Sequence, residues 1–240
     1  MKKLSELSIE IFADGADLKG MLEMAAQPHI SGLTTNPTLM RKAGITNYGK
    51  FARQVLDEIR NKPISFEVFS DEFNLMVKQG EKIASWGENV FVKVPITNTK
   101  GESTVPVISE LTSLGVKVNV TALMTTDQVV KVLGALNPSV PSNISVFAGR
   151  IADTGTDPLP IMQECLQQMK VMPNSKLIWA SPRELFNVFQ ADAIGCHVIT
   201  ATNDILKKLS LVGYDLDDYS LDTVKMFHDD AVSAGYTIED

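Results

Sequence analysis

Short apolar runs rich in β-branched and aromatic residues recur along the chain. Longer stretches with helical spacing of their apolar positions separate them. The runs predict strands over Ser8–Ala13, Ile30–Thr34, Ile64–Phe69, Val90–Val94, Val116–Val120, Ile144–Ala148, Lys176–Ala180 and His197–Thr200. The stretches between them predict helices over Tyr48–Arg60, Glu72–Ser85, Glu102–Leu114, Asp127–Leu136, Pro158–Met169 and Arg183–Asp192. A final helix, about Leu221–Ala234, follows the eighth strand. Eight strand–helix units with no break in composition predict an α/β protein. The architecture expected is a parallel (β/α)8 TIM barrel with an additional C-terminal helix, one barrel domain over residues 1–240. A doubly wound open sheet is the alternative. No Gly-x-Gly-x-x-Gly follows any strand, so the usual dinucleotide fingerprint is missing. Asn137-Pro138-Ser139-Val140-Pro141 reads as a turn before the sixth strand, not a domain boundary.

One residue breaks the hydropathy pattern. Lys93 sits inside the apolar strand Phe91-Val92-Lys93-Val94. Lysine is almost never fully buried unpaired, and taking an ammonium out of water pushes it toward the neutral form. At an ordinary pKa of ~10.4, only about one lysine in 2,500 is neutral at pH 7, and each unit of depression raises that tenfold. A neutral amine is a nucleophile able to form a Schiff base with a carbonyl substrate. The competing reading puts Lys93 at the strand's end, reaching solvent.

Composition narrows the choice of partners. The chain has 240 residues, 44% hydrophobic and 21% charged, with a formal net charge of −7. No long Lys/Arg cluster appears, which argues against nucleic acid or an anionic membrane. Cys165 and Cys196 fit neither a disulfide framework nor a zinc site. Met1–Glu6 lacks an apolar leader, and no apolar run is long enough to span a membrane. A reducing, cytoplasmic setting is expected. His29, His197 and His228 lack metal-ligand spacing and are given no role.

In a parallel barrel, catalytic groups come from the C-terminal ends of the strands. The polar residues there are Asp14, the run Thr34-Thr35-Asn36-Pro37, Glu67, Lys93, Asn119 and Thr121. Ser145, Phe147 and Arg150 follow, then Ser181 and Arg183, and last Thr200 and Thr202. Each has an ordinary reading too. Asp14 before Gly15 is a turn former or helix cap; Thr35-Asn36-Pro37 is a cap and turn. Asn119, Thr121 and Ser145 are satisfied core polar groups, and each arginine is a surface ion pair. Their concentration at strand ends favours a site. Together they supply an amine, two carboxyl groups for proton transfer, hydroxyls and amides for a polyol, and two guanidinium forks for a phosphate. Asp153-Thr154-Gly155 looks like an aspartic-protease signature, but that chemistry needs two such carboxylates and one is here.

In these residues the chain resembles the transaldolase family, from about Ile9 to His228. The resemblance is carried by Gly32-Leu33-Thr34-Thr35-Asn36-Pro37, Val92-Lys93-Val94-Pro95-Ile96-Thr97, Phe147-Ala148-Gly149-Arg150-Ile151 and Ala180-Ser181-Pro182-Arg183, in that order. It implies a (β/α)8 barrel, a Schiff-base lysine at Lys93, and no metal or organic cofactor. It implies that Asp14 is the acid/base on the C4 hydroxyl, and that Glu67 and Thr121 dehydrate the carbinolamine through a water. Asn36, Asn119 and Ser145 resemble the groups that hold substrate hydroxyls. Arg150, Ser181 and Arg183 resemble the phosphate site. The expected partners are sugar phosphates, in a homo-oligomer of the pentose phosphate pathway. Two activities occur in the family: transfer of a dihydroxyacetone unit between sugar phosphates, and its release by fructose-6-phosphate aldolases. The aldolases carry tyrosine and glutamine where this chain has Phe147 and Glu67, so the resemblance favours transfer. Chain length lies nearer the short, aldolase-containing branch, and Pro182 departs from the aromatic of longer members. A non-catalytic sugar-phosphate-binding barrel is the alternative of a different class.

Overall fold

The structure, a computed structural model, describes residues 2–238. Eight parallel strands close on themselves in chain order. They are β1 (Glu10–Asp14), β2 (Ile30–Thr34), β3 (Ile64–Glu67), β4 (Val90–Pro95), β5 (Val118–Leu123), β6 (Ser142–Val146), β7 (Ser175–Trp179) and β8 (Val198–Thr202). β8 pairs back onto β1, with Asp14 opposite Thr202. The helices are α1 (Leu18–Ala25), α2 (Pro37–Lys42), α3 (Tyr48–Glu58), α4 (Phe73–Ala84), α5 (Val105–Ser113) and α6 (Thr126–Leu133). They continue with α7 (Ala148–Asp153), α8 (Pro158–Gln168), α9 (Phe186–Ala193), α10 (Asn203–Leu206) and α11 (Leu216–Ala234). The closed parallel barrel followed by a C-terminal helix is the architecture the alternation predicts.

Strand alternation splits the core in two. On β4, Val90, Val92 and Val94 face the helices and join the large outer core. The other face of the strands lines the barrel. Its lower part is apolar: Phe12, Ile178, Ala180 and Val198 pack together, with Phe147 against them. Gly32 lies under the Phe12 ring, where an added Cβ would come within 2.7 Å of it. The upper part is polar, and Thr34, Ser65, Lys93, Asn119, Ser145 and Thr200 are all buried there.

Several boundaries differ from the sequence reading, four of them for a visible reason. β3 ends at Glu67, two residues early, because the N–H groups of Phe69 and Ser70 both turn to Gln79 Oε1 on α4, at 3.0 Å each. β5 runs on to Leu123 through an irregularity after Val120, where Ala122 adopts φ 65°. α9 begins at Phe186 rather than Arg183, since Asn187 Oδ1 accepts the N–H groups of Arg183 and Glu184 first. α11 begins at Leu216, five residues early, because Asp215 caps it by accepting from Asp217 and Asp218 N–H. This helix contains no buried residue. Leu216, Tyr219, Val224 and Phe227 form an exposed apolar stripe along it. Among the described residues, no helix is long and apolar enough to cross a membrane.

Candidate active site

A cavity of about 490 Å³ opens at the C-terminal ends of the strands. That volume is typical of small-molecule sites. Asp14, Asn36, Glu67, Lys93, Thr121, Ser145, Phe147, Arg150, Ser181 and Arg183 all line it. The barrel therefore brings ten of the eleven predicted site residues to one wall. Asn119 stands behind the others, fully buried. Its amide donates to Ser65 Oγ at 3.0 Å and accepts from Ser145 Oγ at 2.7 Å. It thus orients the Ser145 hydroxyl at the cavity surface.

Lys93 is 6% exposed, so it does not escape to solvent. Its strand parity sends it inward, where it lines the cavity. Nζ lies 3.4 Å from Glu67 Oε2 and donates to the Thr35 carbonyl at 3.0 Å. Glu67 sits opposite Lys93 in the β3–β4 register, which explains the pairing. Burial pushes the Glu67 carboxyl above its ordinary pKa, while the Lys93 charge and hydrogen bond pull it back and Asp14 adds repulsion. Burial likewise raises Asp14, against the opposing Lys93 charge and hydrogen bonds from Thr34 and Asn36. Two carboxyl groups thus flank one buried amine, and burial shifts both toward the protonated form.

Asn36 fills both roles that its sequence suggests. Its Oδ1 caps α2 by accepting Leu39 N–H at 2.9 Å, with Pro37 at the first helical position. Its Nδ2 donates to Asp14 Oδ2 at 3.2 Å. Thr121 Oγ1 is buried at the cavity and has no hydrogen-bond partner among the described residues, so its hydroxyl is free to serve a group in the cavity. Ala122 and Ser181 hold left-handed φ values of 65° and 59°, and both line the cavity. Such backbone costs about 1–3 kcal/mol per residue and concentrates at functional sites.

The cationic end is built by a close backbone approach. An added Cβ on Gly149 would meet the Ser181 carbonyl oxygen at 1.6 Å, so only glycine fits there. That contact seats α7 against the β7 end and brings Arg150 and Arg183 to one wall. Arg150 lies over the Phe147 ring, 5.4 Å from its centroid. Arg183 donates through Nε to Asp153 Oδ1 at 2.9 Å and through Nη2 to Oδ2. The Asp153 carboxyl is held below the usual carboxylate range by that pair.

Residues 11–238 match the family described as Transaldolase/Fructose-6-phosphate aldolase. The chain belongs to this family. A "Probable transaldolase" of Nitrosopumilus maritimus is 32% identical over 203 residues, covering 84% of this chain and 87% of that protein. One from Hyphomonas neptunium is 32% identical over 233 residues, covering 96% and 100%. Among solved structures, inosine 5′-monophosphate dehydrogenase from Legionella pneumophila superposes with a TM-score of 0.57 at 11% identity, over 83% of this chain and 59% of that one. That likeness shows the barrel fold alone. This chain is accordingly an enzyme of the transaldolase/aldolase type.

Within the family frame, the structure adds partners that strand-by-strand reading missed. Thr34 Oγ1 donates to Asp14 Oδ1 at 2.8 Å and lies 2.6 Å from Thr200 Oγ1. Both threonines were visible as polar strand ends, but nothing local joins positions 14, 34 and 200. Asp153 belongs to the Asp-Thr-Gly run that resembles a protease signature; here it orients Arg183. Among the described residues, no three His, Cys, Asp or Glu side chains are grouped to hold a metal ion.

Proposed function

We propose that this protein is a transaldolase. It passes a dihydroxyacetone unit from a ketose phosphate, sedoheptulose 7-phosphate or fructose 6-phosphate, to an aldose phosphate through a Schiff base on Lys93. One observation carries the reading: Lys93 is buried, lines the cavity, and is flanked by two carboxyl groups whose pKa values burial raises.

The unprotonated Lys93 amine adds to the C2 carbonyl of the ketose phosphate. The carbinolamine loses water to give an iminium, with Glu67 and Thr121 moving the protons through a water. Ionised Asp14 takes the C4 hydroxyl proton, and the C3–C4 bond breaks. Its electron pair flows into the iminium, the aldose phosphate leaves, and a three-carbon enamine stays on Lys93. The enamine carbon then adds to the acceptor aldehyde, whose oxygen takes the proton from Asp14. Hydrolysis frees the new ketose phosphate and the amine. Arg150, Arg183 and Ser181 bind the phosphate. Asn36 and Ser145 hold hydroxyls, with Asn119 supporting Ser145. Phe147 supports transfer over release. Its ring packs on the apolar barrel floor and disfavours water beside the enamine. A homo-oligomer in which a neighbouring copy covers the α11 stripe completes this reading.

The deciding assay supplies fructose 6-phosphate with and without erythrose 4-phosphate. Turnover that depends on the acceptor is expected. Dihydroxyacetone released equally fast without acceptor makes the protein an aldolase, and binding with no turnover makes it a non-catalytic barrel. Borohydride added with fructose 6-phosphate should place a reduced three-carbon unit on Lys93. Labelling at another lysine, or none, rejects the imine assignment.

A further inference from the structure

The β2–β3 ladder stops one rung short of the site. Thr34 pairs with Ser65, and Thr35 N–H donates to the Ser65 carbonyl at 3.2 Å. In that register the next rung would run from Glu67 N–H to the Thr35 carbonyl, and from the N–H of residue 37 to the Glu67 carbonyl. Neither bond is made. Residue 37 is proline and has no N–H. The Thr35 carbonyl accepts Lys93 Nζ at 3.0 Å. One side chain meets both needs of Glu67: Tyr48 Oη accepts Glu67 N–H at 2.6 Å and donates to the Glu67 carbonyl at 2.9 Å.

The phenol is firmly placed for this. Tyr48 is the first residue of α3, behind the Asn47 cap. Its ring packs edge-on against Phe66 and Phe69, with centroids 6.4 and 5.5 Å away, and tilted against Trp86 at 5.9 Å. Burial pushes its phenol pKa up, so it stays a neutral donor and acceptor.

We propose that Tyr48 is a positioning residue for the imine chemistry: its hydroxyl takes the missing rung, holds Glu67 beside Lys93, and leaves the Thr35 carbonyl to the lysine amine. This rests on the reading of Glu67 and Lys93 given under the proposed function. Without the hydroxyl, the Glu67 N–H turns to the one ladder acceptor in reach, the Thr35 carbonyl, and competes with Lys93 for it. Both reacting side chains then lose their fixed separation. The charged and titratable groups facing Glu67 are Lys93 from β4, Asp14 from β1 and Tyr48 from α3. Its titration is therefore read as a property of that set.

The test compares Tyr48→Phe, Glu67→Gln and the double variant with the wild type. Two readouts are taken: the single-turnover rate of borohydride trapping with fructose 6-phosphate, and the pH profile of kcat with fructose 6-phosphate and erythrose 4-phosphate. Tyr48→Phe should lower trapping and kcat about tenfold, as expected for a buried donor and acceptor left to re-pair. KM for fructose 6-phosphate should hold within about twofold, since the phosphate wall is untouched. The acid limb of the profile should move. In the Glu67→Gln background, Tyr48→Phe should add no further loss. Wild-type trapping and an unmoved limb in Tyr48→Phe, with Glu67→Gln slow, overturn the proposal alone; losses that multiply in the double variant do the same. Wild-type trapping by Glu67→Gln overturns the role of Glu67 itself, and the proposal with it. If Tyr48→Phe does not fold, 3-fluorotyrosine at position 48 replaces it. The ring and hydroxyl remain, but the more acidic phenol accepts less and donates more. The acid limb should still move, and an unmoved limb overturns the proposal.

Discussion

Replacing Thr34 by valine removes one hydroxyl at constant shape. The structure fixes what that hydroxyl does: it donates to Asp14 Oδ1 at 2.8 Å and meets Thr200 Oγ1 at 2.6 Å. Asp14 is already pushed toward its neutral form by burial, and the Thr34 bond is one of the contacts that oppose this. A hydrogen bond to a charged group contributes about 1.5–3 kcal/mol. At 1.36 kcal/mol per factor of ten, its loss shifts the balance between ionised and neutral Asp14 by roughly 10- to 150-fold toward neutral. If ionised Asp14 takes the C4 proton, cleavage at neutral pH falls by up to that factor and recovers as pH rises. Trapping of the imine before cleavage should stay near wild type, because Glu67, Lys93 and Thr121 are untouched. The assay is the pH dependence of aldose phosphate release in a single turnover, against borohydride trapping on the same sample. Thr200 also loses its partner, which costs about 1 kcal/mol of stability and is read separately in Tm. If the cleavage limb stays in place while Thr34→Val is folded, Asp14 does not act as the base in its ionised form.

Four further outcomes are expected. Phe147→Tyr puts a phenol beside the enamine at nearly constant shape; it should release dihydroxyacetone from fructose 6-phosphate without acceptor while transfer falls, as measured by the product ratio. Arg183→Ala should raise KM for phosphorylated substrates by roughly one to two decades and leave unphosphorylated ones unchanged, since the loss is a charge-assisted bond; equal losses would mark Arg183 as structural. Asp14→Asn should raise Tm at neutral pH. A carboxyl whose native pKa lies above its unfolded value favours the native state at low pH and loses that advantage as pH rises through the native pKa, so the gap should close on acidification toward the ordinary carboxylate range. Phe227→Asp places a charge in the exposed α11 stripe and should lower the mass seen by light scattering without changing far-UV circular dichroism; an unchanged mass argues against assembly through this helix.

The barrel and most of the residues that line its cavity were legible in the sequence, because both rest on local periodicity. Period-two alternation in runs such as Val90-Phe91-Val92-Lys93-Val94 is set by backbone geometry, and it puts the valines and the lysine on opposite faces wherever the strand lies. Eight such runs separated by helical spacing leave few topologies, and in the parallel barrel every strand end faces the same way. Listing polar residues at strand ends therefore found twelve of the residues that line the cavity. What stayed hidden was contact across the barrel. Thr34, Thr200 and Asp14 meet only because β8 closes onto β1 and β2 lies on its other side. Asn119 shares a strand face with Thr121, yet it sits one layer down, and only the register of β5 against its neighbours decides which of the two reaches the cavity. Tyr48 carries no local signal at all, since its partner is a backbone rung that Pro37 leaves unmade. The sequence by itself determined which face each side chain takes, a consequence of chain stereochemistry over two residues. The tertiary structure alone decided which faces meet and at what depth, because that is set by closure and register between strands far apart in the chain.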